Sequence, residues 1–155
     1  MKFKFVLALI FVLSFTANIY SVSITINVNE IVDGDTIRGL YYELPMTVRL
    51  AHIDTPEIDQ KYGAKAKSFT KKLTQNKPVK IDIISMDRYG RYVAVVTVDN
   101  QNLNRLLVQN GLAWWYQKYS TKKIYSELQS TAKKARIGLW KQKKPIAPWE
   151  FRKSK

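Results

Sequence analysis

The sequence contains no cysteine among its 155 residues. It cannot staple its fold with disulfides in any compartment, and no thiol follows the N-terminal apolar stretch to carry a lipid. Stability must come from a packed core, helped by any ion the chain binds. Histidine is nearly absent: His52 stands alone, so histidine catalysis would have to run through that single ring. The apolar run at residues 5–17 falls short of the about 20 residues that a bilayer-spanning helix needs. There is no internal repeat and no linker, and the length suits one domain with one core. Acids are scarce too, 12 against 26 lysines and arginines.

What the chain does have begins with a basic start at Lys2 and Lys4, the apolar run, and then small residues. Residues 1–23 read as a signal peptide cut after Ser23, with a cut after Ser21 as close rival and an uncleaved anchor as the alternative. Residues 24–155 then form a single domain, expected to be secreted (extracellular or periplasmic), with no stable membrane insertion after cleavage, and monomeric. Losing the leader removes two lysines and no acid, which leaves a twofold basic excess. That excess points to polyanions: nucleic acid, anionic headgroups or acidic glycans. A hydrophobic share of 46% is enough for a core and excludes disorder.

Residues 23–32 are β-branched and partly alternating, as in a strand. Asp33-Gly34 makes a turn, residues 36–42 the return strand, and residues 46–53 a third strand after a break at Pro45. Tyr62, Ala66, Phe69 and Leu73 share one helical face. Residues 79–84 and 91–98 read as two more strands. Leu103, Leu106 and Leu107 mark a short helix closed by Gly111, and Ile124, Leu128, Ala132 and Ala135 a longer one that Gly138 can end. The tail with Pro145, Pro148 and Trp149 is expected to lie extended against the body. This order describes an α+β domain, matching a five-stranded Greek-key barrel of the OB type, with an open sheet also allowed.

The few acids are unevenly placed. Asp33 and Asp35 sit in I-V-D-G-D-T, Asp54 and Glu57 in R-L-A-H-I-D-T-P-E, and Asp87 opens D-R-Y-G-R. A protein that binds polyanions should keep carboxylates off its binding face, so clustered acids beside arginines suggest a cation site. Hard divalent ions take carboxylate and carbonyl oxygens of this kind. Alone, Asp33-Gly34 is a common hairpin turn, Asp54-Thr55-Pro56-Glu57 an Asx-type turn, and Tyr89-Gly90-Arg91 a hairpin with an exposed arginine. Together and in this order they are far more specific.

With K-Y-G-x-x-A and N-G-L-A added, the motifs over residues 31–140 resemble the staphylococcal nuclease (thermonuclease) family. The resemblance implies a five-stranded OB barrel with three helices, and a Ca²⁺-dependent nuclease acting on DNA and RNA to leave 3′-phosphate ends. It further implies that Asp35, Asp54 and the backbone carbonyl of Thr55 ligate Ca²⁺, with Asp33 just behind them. Glu57 would orient or deprotonate the attacking water, and Arg49 and Arg91 would grip the scissile phosphate. Tyr89 would contact a terminal phosphate, and Tyr119 matches a second such tyrosine. The segment between Glu57 and Tyr62 is shorter than in the family prototype.

The chemistry stands without the family name. A phosphodiester is an anion, and hydroxide approaches it only when that charge is neutralised. A divalent ion and two guanidinium forks can do this while a carboxylate takes the water's proton. His52 replaces an apolar family position and reads as a packing or rim residue. Trp114, Trp115 and Tyr116 could stack on bases or pack on the last helix. Lys71, Lys72, Lys122, Lys123, Lys133 and Lys134 read as backbone contacts or solvated faces. The rival function is a non-catalytic nucleic-acid-binding OB module, which has no reason to combine Asp35, Asp54, Glu57, Arg49 and Arg91. A membrane-active cationic protein would need a basic amphipathic helix that the pattern lacks.

Overall fold

The computed structural model describes residues 22–155. The leader reading falls on residues outside it, apart from Val22 and Ser23, which pair with Ile83 and Asp82. Alternation in β1 (Val22–Ile31) buries Ile26 and Val28, and strict alternation would next bury Glu30. A bulge between Val28 and Glu30 resets the register, so Ile31 turns inward and Glu30 stays in solvent, bonded to Arg38. β2 (Thr36–Tyr41) and β3 (Leu44–Leu50) follow as a hairpin. The turn is made by Tyr42 and Glu43, both with positive φ (45° and 63°), not by the break expected at Pro45. Pro45 lies inside β3 opposite Leu40, where the strand's other side is still unpaired.

After β4 (Ile53–Asp54) come α1 (Gly63–Thr74), β5 (Pro78–Met86), β6 (Tyr92–Val98), β7 (Gln101–Asn102) and α2 (Leu103–Gln109). β8 (Trp114–Trp115), α3 (Lys123–Lys134) and α4 (Pro148–Lys153) complete the chain. The long strands run in the order β3-β2-β1-β5-β6, and a parallel pairing of β3 with β6 closes the ring. This is the expected α+β fold, a five-stranded barrel of the OB type carrying α1, α2 and α3. Ile26, Ile37, Val48, Ile81 and Val96 fill its interior at 0–1% exposure. Each contributes about 1.5–3 kcal/mol by leaving water.

The helices lie where the apolar spacing put them, with two differences. α3 stops at Lys134, because Arg136 already takes a positive φ of 51°, ahead of Gly138. The tail is not extended throughout. Pro148 opens a six-residue helix, α4, a position proline accepts because its missing N–H would be unpaired there anyway. Asn104 of α2, fully buried, accepts a bond from Val96 N and donates to the carbonyls of Ala51 and Ala94. It thereby ties α2 to β6 and to the turn that precedes β4. Among the described residues no helix is long and apolar enough to cross a membrane.

Candidate active site

The Asp33-Gly34-Asp35 bend is pressed against α1. A Cβ on Gly34 would stand 2.6 Å from the Ala66 Cβ and 2.8 Å from the Thr55 Oγ1, so only glycine lets the bend come this close. Thr70 of α1 donates to the Gly34 carbonyl at 2.6 Å. Within the bend, Asp33 Oδ1 accepts from Asp35 N at 2.9 Å, which sets the direction of Asp35. Asp35 is buried, and its Oδ2 accepts from both Thr55 N (2.6 Å) and Thr55 Oγ1 (2.8 Å). The two acidic motifs, twenty positions apart, therefore meet directly.

Arg49 binds them together. Its Nη1 lies 2.9 Å from Asp35 Oδ1 and its Nη2 2.7 Å from Asp54 Oδ1. Barrel closure explains the position of the second arginine. Arg49 pairs with Val93 across the parallel β3–β6 ladder, and Arg91 lies two residues before Val93, hence on the same side. Asp87 holds the turn that carries it, accepting from Tyr89 N, Arg91 N and, at 2.8 Å, Arg91 Nε. Burial works against the Asp87 charge, but these donors outweigh it and hold the carboxyl below its ordinary range. Asp87 thus orients Arg91.

Glu57 stands at the other wall. Its N–H donates to Gln60 Oε1, and the turn it heads rests on Gly63. Its carboxylate accepts from an arginine that no motif suggested: Arg152 of α4, whose Nη1 lies 2.5 Å from Glu57 Oε1 and whose Nη2 lies 2.8 Å from Asp54 Oδ2. The sequence signal for it was thin, an arginine four residues after Pro148 in a basic tail.

One cleft of about 800 Å³ gathers every sequence-derived site residue: Asp33, Asp35, Arg49, Asp54, Thr55, Glu57, Tyr89, Arg91 and Tyr119. Burial pushes the Asp33 carboxyl up to about 7, and the neighbouring Asp35 charge adds to it. Burial, then Asp35, likewise push Asp54 up to about 6, against the pull of Arg49 and Arg152. Burial opposes the Arg49 charge, yet Asp35, Asp54 and Asp33 overcome it and raise its pKa further. Asp33, Asp35, Asp54 and Glu57 meet Arg49 and Arg152 on the inner wall, and Asp87, Arg88 and Arg91 line the same cleft.

At the rim Tyr89 and Tyr119 are exposed, 68% and 64%. Arg88 lies over the Tyr89 ring at 4.8 Å, with Arg91 at 5.5 Å. The aromatic run divides its labour: Trp114 packs edge-on with Trp140 (4.5 Å), while Tyr116 stacks on Trp149 of α4 (5.2 Å). Packing accounts for both. Lys133 lies over the Trp114 and Trp140 rings, Lys123 pairs with Glu127, and the six lysines singled out above are exposed. His52 lines the cleft, with no hydrogen-bond partner for Nδ1.

A closed OB barrel whose rim joins buried carboxylates to paired arginines can hold an anion such as a phosphodiester beside a cluster of acids. Residues 47–142 match the family described as staphylococcal nuclease homologue. An uncharacterised endonuclease of Haemophilus influenzae is 40% identical over 130 residues, covering 83% of this chain and 73% of its own length. An uncharacterised endonuclease of Escherichia coli is 35% identical over 127 residues (81% and 83%). A micrococcal nuclease of Shigella flexneri is 36% identical over 136 residues (81% and 78%). The chain belongs to the staphylococcal nuclease family and is a phosphodiester hydrolase acting on nucleic acid. The non-catalytic module reading gives way to it.

Proposed function

We propose that the chain is a Ca²⁺-dependent nuclease that cuts both DNA and RNA, leaves 3′-phosphate ends, and works as a monomer outside the cytoplasm after loss of residues 1–23. The observation that supports the calcium reading is the convergence of the buried Asp35 and Asp54 carboxylates beside Thr55 in one cleft, with Asp33 and Glu57 next to them. All its donors are oxygens, which suits a hard cation. Among the described residues no group of three or more His, Cys, Asp or Glu side chains is arranged as a metal cage. The ligands would be Asp35, Asp54 and the Thr55 carbonyl, leaving the rest of the shell to water and substrate. Such an ion supplies charge for a phosphate oxygen and a place for the attacking water.

The chain's own groups do the rest. Asp33 fixes Asp35 through its N–H. Glu57 takes the proton of the water that attacks phosphorus, and the bond to the 5′ oxygen breaks as that bond forms. Arg49, and Arg91 braced by Asp87, hold the phosphate oxygens as charge builds on them. Tyr89 and Tyr119 face the flanking phosphate or base from the rim. The test is purified protein incubated with single-stranded DNA and with RNA, in Ca²⁺ and in chelator, with end-group analysis of the products. Turnover of both substrates in Ca²⁺ alone, with 3′-phosphate ends, is expected. Full activity in chelator would remove the calcium assignment.

A further inference from the structure

The cleft holds a cation that the proposed reaction does not use. Arg152 spans Asp54 and Glu57, with contacts of 2.8 Å to Asp54 Oδ2, 3.4 Å to Asp54 Oδ1 and 2.5 Å to Glu57 Oε1. Both oxygens of Asp54 thereby accept from guanidinium groups, Oδ1 from Arg49 as well as Arg152 and Oδ2 from Arg152. A divalent ion on Asp54 would therefore compete with a guanidinium for the same carboxylate. Arg49 is not the one to yield: its side chain is 13% exposed and is held by Asp35, Asp54 and the Leu50 carbonyl. Arg152 is 44% exposed and approaches from the mouth of the cleft.

The helix that carries Arg152 is anchored independently. Trp149 lies parallel to Tyr116, with planes within 1°, and edge-on to Trp114 at 5.7 Å. Gln60 donates to the Ile146 carbonyl at 2.7 Å, and Lys155 pairs with Asp59. A guanidinium released from Asp54 therefore stays at the mouth of the cleft, where the incoming anion is the substrate phosphate. Its planar fork suits two phosphate oxygens.

We propose that Arg152 is a third phosphate-binding arginine of this nuclease, held on Asp54 and Glu57 until a divalent ion displaces it. The proposal rests on the calcium reading above. It gives one residue two effects of opposite sign, competition with the ion and attraction of the substrate. The test is Arg152→Gln in the otherwise complete protein, with folding checked by thermal melting. Titration calorimetry with Ca²⁺ alone, without nucleic acid, should show binding tighter by about fivefold, as expected when a competing half-exposed guanidinium is removed from the buried Asp54. The KM for single-stranded DNA at saturating Ca²⁺ should rise about tenfold, through loss of a charge-assisted phosphate contact. A residue that merely braced the fold would weaken both. Arg152→Lys keeps the charge without the fork, so its Ca²⁺ affinity should return toward that of the unmodified protein while its KM stays raised. Unchanged or weaker Ca²⁺ binding in Arg152→Gln, or an unchanged KM, overturns the proposal alone. An unmodified protein with no Ca²⁺-dependent turnover overturns the calcium reading and this proposal with it.

Discussion

His52 sits between β3 and β4 with a positive φ of 70°, its ring 5.0 Å from that of Tyr125, and its carbonyl accepts from Tyr116 N. Its backbone turns the chain so that Asp54, two residues on, faces the cleft, while the ring itself packs on a helix. The imidazole thus has a place in the architecture, and the proposed mechanism assigns it no step. Asparagine tolerates the same left-handed backbone, so His52→Asn should keep turnover within the same order of magnitude. Loss of activity in a folded variant would call for a new base. Burial, and then the Lys122 charge, push the His52 pKa below its ordinary 6.5. The unfolded chain then takes up a proton near 6.5 that the folded chain does not. This contribution to stability is complete above 6.5 and shrinks as pH falls below it. Titration of the single imidazole by NMR should give a midpoint under 6.5, and a midpoint above it would contradict this account.

At the scale of elements, α1 is what brings the acidic motifs into register. Its N-terminal Gly63 lies so close to the Glu57 turn that a Cβ there would fall 1.7 Å from the Glu57 carbonyl oxygen, and the obstacle is backbone rather than a flexible side chain. Gly63→Ala should therefore push the Glu57 turn outward while Asp35 and Asp54, held by Thr55 and Arg49, stay in place. Displacing a catalytic group by about 1 Å costs roughly a hundredfold in rate. The measurement is turnover together with Ca²⁺ affinity on protein that still melts cooperatively. Normal turnover would show that Glu57 is not held by this contact. The barrel strands were legible because alternation is local, and the helices because their apolar spacing is. The ends were less so: α3 stops at Lys134, just before the positive φ of Arg136, and α4 was hidden by a proline that reads equally well as a loop.

For the whole molecule, the chain carries a formal charge of +14, while its cleft gathers the carboxylates of Asp33, Asp35, Asp54 and Glu57. The two do not conflict. Long-range attraction draws in a polyanion, and on the proposed function the local carboxylates would take up a cation that lets one phosphate sit among them. Binding of single-stranded DNA should weaken steeply with salt, linearly in a log–log plot, through counterion release. Fluorescence anisotropy on a labelled oligonucleotide across a salt series measures that slope. A flat plot would mean that the basic excess serves solubility alone.

The sequence by itself determined the succession of strands and helices, the helical faces and the candidate acids, while leaving barrel and open sheet both allowed. Each of these is written in a short window, as an alternation, a helical stripe or a motif of a few residues. It also marked Arg49 and Arg91, because both lie inside such motifs. Only the tertiary structure decided that Arg49 links Asp35 to Asp54, that Asp87 braces Arg91, and that the tail returns to the site. Arg152 and Asp54 are 98 positions apart, and no local pattern ties them. What joins them is a docked helix held by Trp149 on Tyr116, together with a buried carboxylate that needs a second partner once burial has stripped its water.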